Sequence, residues 1–377
     1  MSRHPVNRER LRATFLELVQ IDAPSRREGP VSRHVSAVLE QLDACIVIDD
    51  AGARLSGETG NLIAHLPGTV AAPPVMFCAH LDTIEPTGAL QVRQQESLLT
   101  SDGTTILGAD DRAGVAAILE LVMMLRETGL PHPPLELVFP VAEEIGVMGS
   151  MVLDYNLLSA PYGFVADSSG PVGKIIHRAP AQQHLHITIH GRAAHAGMAP
   201  EEGINAITVA ARAIAGMRQG RLDDETTANI GKITGGKATN IVPDTVEMEG
   251  EARSRDPRKL AEQVAHMREC FEQAARDASA TVEIVVSDVY PAFNLATDDP
   301  AVRLASEALR ALDIPPLVTA TGGGSDANFF NAHGISAVIL SAGYEHPHGH
   351  NESQDLDQLV LLVEWLYEIV RLAGEQG

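Results

Sequence analysis

Short uninterrupted apolar runs alternate, through the first half of the chain, with longer segments whose apolar positions recur at helical spacing. The runs Val75 to Ala79, Leu135 to Ala142 and Tyr162 to Ala166 predict strands buried on both faces. Ala113 to Glu127 predicts a helix between them, and Leu11, Phe15, Leu18 and Val19 mark an amphipathic helix near the start. This alternation is the signature of an α/β domain with a largely parallel sheet. The same style returns at the far end, as a helix near Ala301 to Leu312, a strand at Ala337 to Ser341 and a closing helix from Leu356 to Leu372.

The middle of the chain has a different period. Leu185, Ile187 and Ile189 alternate with His184, His186 and Thr188, as in a strand with one wet face. A helix pattern follows from Ile204 to Met217, then a strand near Thr227 to Thr234, a Gly235-Gly236 turn and an alternating strand through Val246, Met248 and Gly250. A helix from Leu260 to Ala278 and a strand from Thr281 to Ser287 complete a βαββαβ order, the split unit of ferredoxin-like α+β domains. The expected organisation is therefore a discontinuous catalytic domain, residues 1–179 and 292–377, carrying an inserted domain at residues 180–291.

Length agrees with this division, since 377 residues correspond to about two domains at roughly 150 residues each. Lys plus Arg number 28 against 50 Asp plus Glu, a net charge of −22. Without a basic stripe the chain is no nucleic-acid binder, and an anionic membrane surface is disfavoured for the same reason. Three cysteines, Cys45, Cys78 and Cys270, form no C-x-x-C pair and suit a reducing compartment. The opening residues show no apolar leader with a cleavage site, and the most apolar stretch, Ala113 to Leu125, carries Glu120 and is too short to span a membrane. A cytoplasmic location is expected.

Candidate chemistry sits where the predicted strands stop. His80-Leu-Asp82 follows the first run, Glu143-Glu144 the second, Asp167 the third, and His346-Pro-His348-Gly-His350 follows Ala337 to Ser341. Open α/β sheets bind ligands beyond the carboxyl ends of their strands, so these residues converge on one crevice with Asp110-Asp111, which open a helix after Gly108. Carboxylates crowded in one cleft repel unless cations neutralise them, and a His-plus-carboxylate set suits zinc, cobalt or manganese.

These motifs resemble a known family. His80-Leu-Asp82-Thr83, Gly108-Ala-Asp110-Asp111-Arg-Ala-Gly114, Glu143-Glu144, Gly191-Arg-Ala-Ala-His195-Ala-Gly197 and Gly322-Gly-Gly-Ser-Asp326-Ala-Asn328 are similar to those of the M20 dinuclear zinc peptidases, most closely the peptidase T-like subgroup. The likeness runs from about residue 60 to 355. It implies two zinc ions per chain, with cobalt or manganese as alternatives. His80 and Asp167 would hold one ion, Glu144 and His348 the other, and Asp110 would bridge them. Asp82 would orient the His80 imidazole, and Glu143 would serve as general base toward the attacking water. His348 and Glu352 match the family's histidine-to-glutamate spacing, with His346 and His350 as alternative ligands; Asp111 is the alternative to Asp110, and the spacing to Gly114 favours Asp110.

For the inserted domain the resemblance implies a dimerisation and lid role. Asn240 and Arg253 match positions that bind the substrate carboxylate or backbone, a task for which a planar guanidinium is suited. The histidine matching His195 reaches, in related peptidases, across a homodimer into the partner's site to stabilise an oxyanion. No G-x-S-x-G, H-E-x-x-H or strand-borne G-x-G-x-x-G is present, so other enzyme templates fit poorly. The expected activity is hydrolysis of short peptides by a dizinc, tripeptide aminopeptidase-like enzyme. N-acyl-amino-acid deacylase or carboxypeptidase activity on the same metals is the alternative, and a non-catalytic binding protein is the alternative of another class.

Overall fold

The structure, a computed structural model, describes residues 6–375. The first five residues, part of the segment read as lacking a leader, lie outside the described residues. Two compact units form. One comprises the chain up to Arg178 with Asn294–Thr321 and the chain from Ser325 onward; the other comprises Ala179–Phe293 with Gly322–Gly324.

In the first unit Val75–Cys78, buried at every position, lies parallel between Leu135–Phe139 and Tyr162–Ser168. Ser336–Ser341 joins parallel on the far side of Tyr162–Ser168. Four adjacent strands thus share one direction, and their side chains are covered on both faces, which explains their unbroken apolar sequences. Phe77 and Phe164 on neighbouring strands hold their ring centroids 5.6 Å apart, an aromatic contact contributing about 0.5–1.5 kcal/mol beyond burial. Toward the edges pairing turns antiparallel, with Leu62–Leu66 beside Leu135–Phe139 and Cys45–Ile48 outermost. Cys45–Ile48 escaped the sequence pattern because it is short and only partly covered.

Helix Ala109–Thr128 is buried along most of its length. The closing helix, Leu356–Glu375, is fixed by Trp365, whose Nε1 donates to the Ala305 carbonyl at 2.9 Å. The second predicted strand stops earlier than its apolar run, at Phe139, because Pro140 offers no N–H and Ala142 takes a positive φ of 54°.

The second unit is an antiparallel sheet in the order Gly220–Arg221, Thr226–Gly235, Thr245–Ser254, Ala181–His190, Thr281–Tyr290. Its four long strands stand in the 4-1-3-2 arrangement that a βαββαβ chain produces. Leu185, Ile187 and Ile189 are fully buried beneath helices Ala206–Gly216 and Pro257–Asp277. The longer helix shows the core Leu260, Val264, Met267 and Phe271, one stripe at helical spacing. Both helices start on side-chain caps: Asn205 accepts from the Thr208 N–H at 3.0 Å and Asp256 from the Arg258 N–H at 2.8 Å. Among the described residues no helix is long and apolar enough to cross a membrane.

Candidate metal centre

Because four parallel strands end side by side, the residues that follow them meet. His80 comes two residues after Cys78, Glu143 and Glu144 follow the Leu135–Phe139 strand, and Asp167 is the next-to-last residue of strand Tyr162–Ser168. His348 arrives on the loop beyond Ser336–Ser341, with a φ of 65°. Asp110 is presented from below by Gly108, whose φ of 74° only glycine adopts freely, and by Glu352, which accepts from the Gly108 N–H at 2.7 Å and the Asp110 N–H at 2.9 Å. The two aspartates do not open the helix regularly as expected: Asp110 and Asp111 have non-helical backbone angles.

Asp110 lies at the middle of the cluster. Its Oδ1 is 3.2 Å from His80 Nε2, and its Oδ2 is 3.5 Å from His348 Nε2. His80 Nε2 is also 3.8 Å from Asp167 Oδ1, while His348 Nε2 is 2.9 Å from Glu144 Oε2. His80 Nδ1 donates to the Asp82 carbonyl at 3.0 Å, so the proton of a neutral ring sits on Nδ1 and the lone pair of Nε2 faces carboxylate oxygens. The orienting contact of Asp82 is therefore foremost its main-chain oxygen. Its carboxylate, 3.5 Å from Nδ1, accepts from the N–H groups of Glu143 and Glu144 at 2.9 and 3.1 Å and from the Ser25 hydroxyl at 2.6 Å. Asp82 thus joins the His80 strand end to the Glu143-Glu144 turn.

The electrostatics of this cluster are unfavourable in the protein alone. Side-chain exposure is 12% for Asp110, 9% for Asp167 and 4% for Glu144. Burial, then the Asp110 charge, pushes Asp167 well above the usual carboxylate range; burial likewise raises Glu143 and Glu144. Burial would depress His80, but hydrogen bonds with Asp110 and Asp82 outweigh it and hold the ring well above its ordinary value. Hydrogen bonds with Asp110 and Glu144 raise His348 to about 10. Buried, Glu144 Oε1 and Asp111 Oδ2 have no hydrogen-bond partner. Once its proton is displaced, the His80 Nε2 would offer a lone pair among carboxylate oxygens, with orphaned buried oxygens beside it, a donor set that divalent cations satisfy. Two triads have ligand atoms within 4.8 Å of one another, His80, Asp110 and Glu144 on one side and His80, Asp111 and Asp167 on the other.

The remaining sequence candidates separate clearly. His350 turns to Glu85, 3.0 Å away, and not to the Asp110 cluster. Asp111 stays with the cluster: its Oδ1 accepts from the Gly114 N–H at 3.1 Å, while its partnerless Oδ2 leaves it in the triad with His80 and Asp167. His195, Asn240 and Arg253 belong to the second unit. Exposed His195 accepts at Nδ1 from the N–H groups of Gly197 and Met198, both at 3.1 Å, and the Asn240 carbonyl accepts from the Ala196 N–H at 3.0 Å. Arg253 grips Glu251 through Nε and Nη2 at 3.1 and 2.9 Å. Sequence reasoning missed Tyr344, whose buried hydroxyl lies 3.0 Å from Asp167 Oδ1 and 3.2 Å from Asp110 Oδ1. It follows the last sheet strand, as the other site residues follow theirs, and that placement was the available signal.

Comparison with known proteins agrees with this geometry. The family described as "Peptidase dimerisation domain" of the M20 peptidases matches residues 182–279, and "Peptidase family M28" matches residues 61–160. The crystal structure of aminopeptidase PepT from Bacillus cereus is 40% identical, with 98% of this chain and 99% of that one covered and a TM-score of 0.91. A tripeptidase structure from Staphylococcus aureus is 38% identical over 98% and 100% of the two chains, with a TM-score of 0.95. Uncharacterized protein YqjE of Bacillus subtilis is 40% identical over 98% of this chain and all of its own. Likeness at this level over nearly the whole length carries both units at once, and the chain belongs to the M20 peptidases, in their peptidase T-like group.

Proposed function

We propose that this peptidase is a dizinc aminopeptidase of short peptides, with His80, Asp167 and Asp110 around one cation and Asp110, Glu144 and His348 around the other. The observation that carries this reading is the Asp110 carboxylate, with one oxygen toward His80 and the other toward His348. When bound, a pair of divalent cations supplies Lewis acidity, lowering the pKa of water from about 15.7 toward ~7. Glu143 then takes a proton from the attacking water and delivers it to the nitrogen of the departing amine, a role that suits a carboxylate whose proton affinity burial has raised. Asp82 holds the Glu143 and Glu144 N–H groups, so both side chains keep fixed directions. The Tyr344 hydroxyl steadies Asp110 and Asp167.

His195 is proposed to act in trans within a homodimer formed through the inserted domain. Accepting two N–H bonds at Nδ1 leaves the proton on Nε2, the tautomer needed to donate to an oxyanion. Beside it Met198, whose N–H meets the ring, and Ile241, bridged to it along the backbone, expose apolar surface. Arg253, with Asn240, is assigned to the substrate carboxylate, which would exchange with Glu251 on the guanidinium. Three free cysteines accord with a cytoplasmic setting.

Turnover of a small panel tests the substrate class: a free tripeptide, its amino-blocked form, its amidated form and an N-acetyl amino acid. Abolished turnover of the amino-blocked peptide is the expected result, with the amidated peptide still cleaved but bound more weakly for want of the Arg253 contact. Equal turnover of the blocked peptide, or preference for the N-acetyl amino acid, would overturn the aminopeptidase reading in favour of a deacylase or carboxypeptidase.

A further inference from the structure

We propose that Glu28 is a positioning residue for the peptidase reaction, holding Ala142 in the left-handed conformation that begins the Glu143-Glu144 turn, a role that rests on the functions proposed above for those two glutamates. Residues 22–28 link helix Arg8–Val19 to helix Gly29–Gln41 and run behind the metal centre, binding the loop after strand Val75–Cys78 at several points. Asp22 Oδ1 accepts from the Thr87 N–H at 2.7 Å, the Ala23 carbonyl accepts from the Thr83 N–H at 3.0 Å, and the Ser25 hydroxyl donates to Asp82 Oδ2 at 2.6 Å. Glu28 ends the segment by crossing to the next strand end. Its Oε1 accepts from the Ala142 N–H at 3.0 Å and from the Arg26 N–H at 2.7 Å.

Two features set this contact apart from ordinary packing. Glu28 occupies the N-cap position of Gly29–Gln41, yet its side chain makes no capping bond to that helix. Serine, threonine, aspartate and asparagine suit such a position because their short side chains reach the N–H groups of the first turn. Glutamate serves its own helix poorly there, and this one, wholly buried, reaches a residue 114 positions away instead. Ala142 for its part has a φ of 54°, a region that a Cβ disfavours. It is buried, so water cannot take up its N–H, and Glu28 Oε1 is the acceptor provided; its carbonyl accepts from the Met148 N–H at 3.0 Å. A strained backbone conformation persists only where its surroundings fix it. Glu143 and Glu144 come next in the chain, so releasing Ala142 would turn both side chains away from the directions that Asp82 sets through their N–H groups.

The test variant is Glu28→Asp in the full-length protein, with thermal melts to verify folding. Aspartate is a good N-cap, so the helix start is kept, but its carboxylate is one methylene short of Ala142. If Glu28 served only the helix, the change would be tolerated. The expected result is a fall in kcat of about tenfold with KM little changed, and a similar fall in zinc affinity measured by chelator competition without peptide, because Glu144 shares the turn. Glu28→Gln keeps an acceptor oxygen at full reach and should recover most of both losses. In an Ala142→Gly background, where glycine takes a positive φ unaided, the loss caused by Glu28→Asp should shrink to about threefold or less. Wild-type kcat and zinc affinity in folded Glu28→Asp, or a loss as large with Gly at 142 as with Ala, overturns the proposal. Glu143→Gln and Glu144→Gln, measured alongside, test the base and ligand roles themselves, so a failure there reads separately from the comparison among Glu28 variants.

Discussion

Two polar regions of the molecule are built on opposite physical terms. At the strand ends of the first unit Asp110, Glu144, Asp167, His80 and Asp82 are almost wholly withdrawn from water, and their mutual charges shift one another's proton affinities. On the second unit His195 and Asn240 are exposed, and Arg253 is already satisfied by Glu251. A buried cluster of this kind is costly unless a cation balances it, whereas exposed polar groups need no such explanation. On the proposed function the first region would hold its cations with residues of one chain, whereas the second would act only with a partner or a substrate against it.

Substitutions should divide along the same line. The largest effect is expected from Glu143→Gln, with turnover falling by on the order of 10² to 10⁴ while metal content stays at the wild-type level; Glu144→Gln should lose metal instead, and equal metal loss in both would erase the distinction between base and ligand. His195→Ala should raise the barrier by ~2.7 to 4 kcal/mol, and mixing it with inactive Glu143→Gln chains should restore part of the activity. No recovery after verified subunit exchange would remove His195 from the partner's site. Asp82→Asn should reduce metal affinity or activity by about 10- to 100-fold, since it weakens the carboxylate's hold on the Glu143-Glu144 turn and removes its charge beside His80, whose main-chain contact survives.

The smallest expected effect concerns buried Glu28, whose carboxylate accepts from the Ala142 N–H at 3.0 Å. Burial, then the Asp82 charge, raises it from 4.5 to about 7. Below pH 4.5 it is protonated folded or unfolded and costs nothing; between 4.5 and about 7 ionisation increasingly disfavours the folded state. Thermal melts of Glu28→Gln against wild type should show a difference moving in the variant's favour across that window and level above it. A pH-independent difference would contradict the assignment.

The sequence was legible where burial is complete. Val75 to Ala79 and Leu185-Ile187-Ile189 announce their elements because both faces, or one, are fully covered. Cys45–Ile48 and the small sheet formed by Arg93–Gln95, Leu98–Thr100, Tyr344–Glu345 and Ser353–Asp355 are short and part-exposed, so no periodicity marks them. The His and carboxylate residues were found by their position after strands. Tyr344 was not, because its role depends on a close approach to Asp110 across 234 residues of chain. The Asp82 main-chain contact to His80 was invisible for a related reason, since a motif names side chains and not carbonyls.

On the proposed function the buried cluster would hold two cations, with Asp110 shared between them. Anomalous diffraction at the zinc edge, on crystals of the zinc-reconstituted protein, measures this most directly. Two peaks about 3.5 to 4 Å apart are expected, one beside His80 and Asp167 and the other beside Glu144 and His348, with Asp110 between them. Absence of both peaks in protein that still cleaves peptides after chelation would contradict it.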